Sequence, residues 1–309
     1  MRLGAPIIRR GLPMRRKISA GAFGLGCTVL VGLSLQVAAG TIPVPLGGPV
    51  HPIRTPQGGV LRNIKNQVTT QNWSGYAVTK YETGSSYSSA TATWVVPTAS
   101  VPPGFSAGYS SSWVGIGGFC LNTTCTRVDK TLIQLGTEQT ATSSGSKYYA
   151  WWETLPQTSQ TISSITVSPG DTIVATLQDG PSLKQGKGGG KPGGGGGKGQ
   201  SWTLTITNTS NSESWSKTLS YNSSLASAEW IEEAPSSGGI LPLANYGTAT
   251  FDPGSANGLN PNLSSANGIV MLNPNGQTSN ISLPDSDTDG FATCWGNGTA
   301  LTSCASPIS

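Results

Sequence analysis

Histidine is nearly absent from this sequence. The only one, His51, lies in a stretch near the amino terminus that is rich in proline and glycine. A Ser–His–Asp triad needs a histidine inside the folded body, and many zinc sites bind their metal through several histidines. Both kinds of site are therefore excluded. The chemistry that remains is that of carboxylates, with amide and aromatic side chains as helpers.

Charge is also scarce, at 10% of the 309 residues, and it is unevenly placed. Ten of the 18 basic residues lie in the first 17 positions or in and beside one glycine-rich run: Arg2, Arg9, Arg10, Arg15, Arg16, Lys17, Lys184, Lys187, Lys191 and Lys198. Without these ten, 8 basic residues face 14 acidic ones, a net charge of −6. An acidic body lacks the basic face that a nucleic-acid site requires, so we expect no nucleic-acid partner.

The amino terminus has the pattern of a secretory signal. The basic segment RRGLPMRRK precedes an uncharged stretch with small residues up to Ala39, which predicts a signal peptide over residues 1–39. The stretch is also long enough for a retained anchor, the alternative interpretation. Residues 40–70 are rich in proline and glycine and are predicted to be a propeptide or linker. We expect a secreted, extracellular protein with no stable membrane association after signal removal.

Cysteine usage agrees with export. Outside the apolar stretch, which contains Cys27, the chain has four cysteines: Cys120, Cys125, Cys294 and Cys304. An even number in an exported protein indicates disulfides. Of the three possible connectivities, the spacing favours the local pairs Cys120–Cys125 and Cys294–Cys304. Neither pair has the spacing or the nearby histidine of a zinc site, and we expect no metal and no cofactor.

From residue 71 onward the sequence is rich in short strand-like runs. They contain Val, Ile, Thr and aromatic residues and are separated by Gly, Pro, Ser and Asn, a pattern that predicts an all-β sandwich or barrel over residues 71–309. The run GKGGGKPGGGGGKG at 186–199 lies between two such strands. It lacks the following helix of a phosphate-binding loop, and we interpret it as a flexible insertion in a hairpin.

Three glutamates lie inside strand-like segments that are rich in apolar and aromatic residues: Glu138, Glu153 and Glu229. In LIQLGTEQ the alternation places Gln134, Gly136 and Glu138 on one face, and the glycine is expected to leave open space above the backbone. A carboxyl group beside tryptophans is partly desolvated, which shifts its pKa and suits acid–base catalysis. The alternative is one hydrogen-bonded, purely structural carboxylate in each strand.

Five segments together resemble one known family. NWSGYAV, SSSWVGIGG, LIQLGTEQ, YYAWWETLP and SAEWIEEAP occur in the order and approximate spacing found in the glutamic peptidases, or eqolisins. The resemblance covers about residues 71–252. It implies an antiparallel β-sandwich of two large, seven-stranded sheets, of the concanavalin A-like (lectin-like jelly roll) kind. It also implies a Gln/Glu dyad on the concave face that cleaves peptides in acid.

The family's functional positions can be carried over residue by residue. The resemblance places the catalytic dyad at Gln134 and Glu229. The glutamate takes a proton from the attacking water, and the glutamine donates to the developing oxyanion. Substrate-binding positions are implied at Trp73, Trp113, Glu138, Trp151 and Glu153. The expected partner is a peptide or protein substrate, and the chain is expected to be a monomer.

The sequence also departs from the family pattern. Gly117 in GIGG stands where well-known fungal members have an acid, and Thr154 and Leu155 replace two aromatic residues. These departures leave the pH optimum and the substrate preference open. Two other functions stay open as well: a non-catalytic carbohydrate-binding β-sandwich, and a glycosidase that uses paired carboxylates.

Three expectations concern the surroundings of the dyad. Glu233 should tolerate replacement by glutamine. The basic residues of the 40–70 stretch are expected to neutralise an acidic cleft at neutral pH: His51, Arg54, Arg62 and Lys65. The acidic loop LPDSDTDG, with Asp285, Asp287 and Asp289, is interpreted as a solvated turn, with weak calcium binding as the alternative.

Overall fold

Strands make up most of the part of the chain that this computed structural model describes, residues 47–180 and 199–308. Within these residues the strands are β1 (Val68–Thr70), β2 (Trp73–Thr79), β3 (Ser89–Val95), β4 (Ala107–Gly117), β5 (Leu132–Thr142), β6 (Gly145–Thr154), β7 (Gln160–Ile162), β8 (Thr172–Gly180), β9 (Gln200–Asn208), β10 (Glu213–Tyr221), β11 (Ser227–Glu233), β12 (Thr248–Ala256), β13 (Gly268–Leu272), β14 (Gln277–Ile281) and β15 (Phe291–Asn297). The helix α1 (Lys80–Thr83) and a 3-10 turn, Ser265–Asn267, are short. The all-β prediction is confirmed.

Fourteen of the described strands form one hydrogen-bonded path in the order β10-β9-β8-β3-β12-β15-β14-β13-β2-β11-β4-β5-β6-β7. Neighbours along this path are antiparallel, and β1 adds to β13 in parallel. The first seven strands of the path pack against the last seven around a shared apolar core. The predicted antiparallel sandwich is therefore confirmed.

The core between the two layers follows from strand alternation. In β8 and β9 every second side chain is buried, as in Ile173, Leu177 and Leu204, and the intervening residues are more exposed. This period of two is that of a strand with one face on a core. Trp94 of β3 reaches across the core, and its Nε1 donates to Thr137 Oγ1 of β5 at 3.0 Å.

The strands β4, β5 and β11 are buried on both faces. Their second face carries another apolar cluster, which includes Trp73, Trp113, Leu132 and Trp151. Val50, from the segment before the predicted domain, packs into this cluster and is only 3% exposed. These three strands therefore have no solvent-facing side.

Residues 47–67, which precede β1, are called the leader here. The leader has no regular strand, as its composition suggested, yet it is tied to the body by isolated bridges such as Pro52 with Thr70 and Arg62 with Val68. Val60 is buried, and its N–H donates to Thr124 O at 3.1 Å. The leader therefore packs on the sandwich along its described length.

The two local disulfides, Cys120–Cys125 and Cys294–Cys304, are present, so that pairing is confirmed. The predicted signal peptide, residues 1–39, lies outside the described residues, as does the glycine-rich insertion apart from its last residue, Gly199. Among the described residues, no helix has the length and apolar character needed to cross a membrane.

Candidate active site

Strand register brings polar residues of three strands, β11, β5 and β6, into one row with a glycine of β4. Glu229 of β11 lies opposite Gly115 of β4, Gly115 lies opposite Gln134 of β5, and Gln134 lies opposite Glu153 of β6. Directly opposed residues point to the same face of a sheet. Neighbouring strands are about 4.8 Å apart, so the Glu229 and Gln134 backbones are about 10 Å apart. Gly115 places no side chain between them.

Gln134 is held by its neighbour on β6. Its Nε2 donates to Glu153 Oε2 at 2.7 Å, while its Oε1 is buried without a hydrogen-bond partner among the described residues. Burial raises the pKa of Glu153 to about 8, although the amide donor of Gln134 and a backbone hydrogen bond from Ser159 lower it. Glu153 therefore orients the amide, and it does so as a neutral carboxyl group in acid.

Glu229 is fully buried, and neither carboxylate oxygen has a hydrogen-bond partner of good geometry in the described chain. Burial raises the pKa of Glu229 well above its ordinary value, and the nearby charge of Asp129 adds to the rise. The hydroxyl of Ser227 and the N–H of Gly117 lower this pKa only in part. Glu229 is thus a protonatable group with unused hydrogen-bonding capacity.

Three tryptophans form one wall of the site. In the row beside the dyad, Ile231 lies opposite Trp113, which lies opposite Gly136, which lies opposite Trp151. The Trp73 and Trp113 rings meet edge to face, with centroids 4.9 Å apart. A Cβ on Gly136 would lie 2.5 Å from Trp113 Cβ. The space expected above Gly136 is therefore filled by Trp113 rather than open.

A further row places two more glutamates in the site, Glu138 and Glu233, which face each other across Ser111. Glu233 accepts from Trp113 Nε1 at 2.9 Å and from Asn72 Nδ2 at 3.3 Å. Burial raises the pKa values of both glutamates well above normal, and Glu233 adds to the rise at Glu138. Glu233 belongs to the site network and is therefore unsuited as the inert control that its position suggested.

Asp129 is a residue of the site that sequence reasoning missed. It is only 4% exposed, and its Oδ2 lies 3.1 Å from where a Cβ on Gly117 would be. An acid from the segment before β5 thus lies beside the position at which the family acid is lost. No motif marks Asp129, because its approach to Gly117 depends on how the chain between β4 and β5 folds back.

The leader covers Gln134. A Cβ on Gly47 would lie 2.4 Å from Gln134 Nε2 and 2.8 Å from Glu153 Oε2. Pro49 O accepts from Asn72 Nδ2 at 3.2 Å, and the Val50 N–H donates to Gly118 O at 3.0 Å. Leader backbone therefore lies against Gln134, one of the two residues expected to carry out catalysis, and against Glu153.

The basic residues of the leader do not make this contact. Arg54 donates to Cys125 O, and Arg62 donates to Asn66 O at 2.6 Å and to Thr123 O at 3.2 Å. Burial lowers the pKa of His51, so its ring is neutral at neutral pH. The expected neutralisation of cleft carboxylates by these side chains is not found; the leader contacts the cleft mainly through backbone and small residues.

Comparison with known proteins identifies the family. A sequence model described as the peptidase A4 family matches residues 71–184 and 197–290. The chain belongs to the peptidase A4 family. This is the family of the glutamic peptidases, so the resemblance found in the sequence is confirmed, and the enzyme is a glutamic endopeptidase. Neither the carbohydrate-binding module nor the glycosidase is favoured.

A solved structure, that of scytalido-glutamic peptidase, agrees with the fold of this A4 peptidase. Scytalido-glutamic peptidase with a transition state analog inhibitor superposes with a TM-score of 0.51 at 22% identity, over 73% of this chain and 98% of that one. SCP-B in a complex with a tripeptide matches with a TM-score of 0.45 at 21% identity, over 73% and 98% of the two chains. Aspergilloglutamic peptidase from Aspergillus niger matches with a TM-score of 0.43 at 22% identity, over 61% and 99%. A search of curated proteins found no match.

The site residues predicted for this A4 peptidase all lie on one face of β2, β4, β5, β6 and β11, namely Trp73, Trp113, Gln134, Glu138, Trp151, Glu153 and Glu229. The resemblance to the glutamic peptidases pointed to them, and each lies in a strand-like segment of the sequence. Sequence reasoning missed what approaches from outside these strands, Asp129 and Gly47. Their roles stay predictions.

Proposed function

We propose that this glutamic endopeptidase is a secreted acid protease whose catalytic groups are Gln134 and Glu229. The observation that carries the proposal is a row of polar atoms on one face: Gln134 Oε1 and both Glu229 oxygens are buried without hydrogen-bond partners of good geometry in the described chain. Unpaired buried polar atoms are costly. A water molecule that binds between the two side chains can donate hydrogen bonds to these oxygens and so supply missing partners.

The proposed chemistry divides the work between the two residues. Ionised Glu229 takes a proton from the water, whose oxygen attacks the scissile carbonyl carbon, and then returns the proton to the leaving amine. Gln134 donates an amide N–H to the oxyanion. The amide group has two hydrogens, and because one is bonded to Glu153, the other is left for the substrate.

The leader, within the predicted propeptide 40–70, is proposed to keep the enzyme inactive. With Gly47 on Gln134, the carbonyl of a substrate cannot approach the amide. Burial also raises the pKa of Glu229, which favours the protonated form that cannot act as a base. Displacement of the leader would admit water, reduce the desolvation and let Glu229 ionise in mild acid.

Acid digestion of a denatured protein tests the proposed activity. The purified enzyme should cleave such a substrate at acidic pH, in the presence of pepstatin as well as in its absence, and should bind no polysaccharide under the same conditions. Binding of a polysaccharide without cleavage of any protein, by enzyme whose leader has been removed, would overturn the proposal in favour of the carbohydrate-binding alternative.

A further inference from the structure

A second cluster of carboxylates lies outside the catalytic row. It combines Asp252 of β12 with Asp285 and Asp289 of the segment between β14 and β15. One oxygen from each of these residues lies within 4.8 Å of the others. Calcium binds oxygens at about 2.3–2.6 Å, so two ligands on opposite sides of the ion are about 5 Å apart. The spacing therefore fits three oxygens around one calcium ion.

The local sequence has the acidic half of a calcium-binding loop. Residues 285–290 read DSDTDG, with acids at the first, third and fifth positions and glycine at the sixth, as in D-x-[DN]-x-[DN]-G. The glutamate of an EF-hand loop would fall at position 296, which is glycine here. Asp252, from a neighbouring strand, supplies the additional carboxylate instead.

One carboxylate of the cluster is buried with an unused oxygen. Asp285 is only 7% exposed, and its Oδ2 has no hydrogen-bond partner among the described residues. Asp289 Oδ1 is likewise buried and unpartnered. Buried charges of this kind are found in proteins where they are paired or bind a metal. The unused oxygen of Asp285 is therefore an observation that points to a cation, independent of the acidic composition.

The carboxylates of Asp285 and Asp252 both lie close to Gly290. A Cβ at this position would lie 2.1 Å from Asp285 Oδ2 and 2.8 Å from Asp252 Cγ. A side chain there would push both carboxylates away. The sixth position of the loop must therefore be glycine for the cluster to form.

The cluster concentrates negative charge. Three carboxylates lie with oxygens within 4.8 Å of one another, and Asp287 lies in the same loop as Asp285 and Asp289. A divalent cation would convert the repulsion among these carboxylates into attraction.

Backbone hydrogen bonds hold the loop in place. Asp289 O accepts from the Gly254 N–H at 2.8 Å, and Gly290 O accepts from the Asp285 N–H at 3.0 Å. Asn260 Nδ2 donates to Asp287 O at 2.6 Å. We propose that Asp252, Asp285 and Asp289 bind one calcium ion that stabilises the sandwich at the β12 edge of this loop, with the exposed Asp287 at the rim.

The first test compares thermal unfolding of the purified full chain at pH 7 in saturating calcium and in chelator. Calcium that binds only the folded state raises the melting temperature, and we expect a rise of several degrees that equimolar magnesium does not reproduce. Terbium luminescence should titrate to one ion per chain, and calcium should displace it. Equal melting temperatures in calcium and chelator, with no terbium bound, would overturn the proposal without any variant.

The second test uses Asp289→Asn, with Glu213→Gln on β10 as the matched control for loss of an acid elsewhere. Asp289→Asn should weaken terbium binding at least tenfold. It should melt below the wild type in calcium, but at the same temperature or above it in chelator, because repulsion is relieved. Glu213→Gln should keep the calcium response. If the melting temperature of Asp289→Asn is lower than that of the wild type by the same amount in calcium and in chelator, the residue is only structural and the proposed calcium site is contradicted. If Asp289→Asn fails to fold, Asp252→Asn provides the same comparison.

Discussion

At the scale of single residues, the environment of Glu229 decides the working pH. Asp129 lies near Gly117, and its negative charge contributes to the raised pKa of Glu229. Asp129 also accepts hydrogen bonds from the Thr131 N–H at 2.9 Å and from the Ser224 hydroxyl. A residue held in this way acts on the general base through its charge, and we class it as a positioning residue.

Asp129→Asn should therefore move the pH profile of the processed enzyme. Loss of the negative charge lowers the pKa of Glu229, and the base becomes ionised at lower pH. The acid limb of kcat/KM is expected to shift to lower pH while kcat at the optimum changes little. Asp171→Asn, in a turn after β7, serves as the control and should leave the acid limb of the kcat/KM profile at the same pH as in the wild type. An unmoved or upward-shifted limb in Asp129→Asn would contradict this role.

The residue scale also shows where sequence reasoning ends. The resemblance to the glutamic peptidases indicated Gln134 and Glu229, and period-two alternation assigns the face of each within its strand. The contact of Glu233 with Trp113 depends on the pairing of β11 with β4, and no local pattern encodes that pairing. Asp129 lies in a segment without periodicity, so its approach to the site could not be predicted.

At the scale of elements, the leader is the part that departs most from expectation. Its composition predicts no strand, and none forms before β1. Isolated bridges and buried valines nevertheless fix it over the cleft. Its two adjacent glycines differ sharply: a side chain on Gly47 would collide with Gln134, whereas a Cβ on Gly48 would meet nothing within 4 Å.

Gly47→Val should therefore weaken the leader's hold on the cleft, and Gly48→Val should not. We expect the unprocessed Gly47→Val chain to cleave a short fluorogenic peptide faster than unprocessed wild type, as measured by initial rates before any leader is lost. Gel analysis at each time point confirms the intact chain. A Gly47→Val chain no faster than Gly48→Val would show that the leader does not limit access to the dyad.

At the scale of the whole molecule, all-β architecture was predictable and strand order was not. Short apolar runs between turn residues predict a sandwich. Strand β2 pairs with β11 and with β13, and the paired residues are about 150 to 190 residues apart in sequence. Such long-range pairing leaves no periodic signal in one chain. The local disulfides were predictable from spacing because each closes a short loop.

The buried carboxyl groups predict how stability depends on pH. Burial raises the pKa values of Glu153 and Glu232 to about 8, far above the value of 4.5 for an exposed glutamate. Between these pH values the folded state binds more protons than the unfolded state, so the free energy of unfolding falls as pH rises. The contribution of these groups is complete below about pH 4.5 and is lost as pH rises through about 8.

The melting temperature in chelator should accordingly be higher at about pH 4.5 than at about pH 8, the opposite of a protein stabilised by ionised carboxylates. Glu232→Gln, which keeps an acceptor for the Ser112 hydroxyl, should reduce the difference in melting temperature between these two pH values. The observation that would contradict the account is a melting temperature that rises steadily from pH 4.5 to 8.

The central claim is that Gln134 and Glu229 carry out the hydrolysis, and acid proteolysis by three folded variants of the processed enzyme tests it directly. Glu229→Gln should lose about 10²–10⁴-fold in kcat/KM, as expected for a lost general base. Gln134→Ala should lose about 10²–10³-fold, as expected for a lost oxyanion donor. Glu213→Gln should match the wild type. Near-normal turnover by Glu229→Gln, with loss in Glu138→Gln or Glu153→Gln instead, would contradict the account.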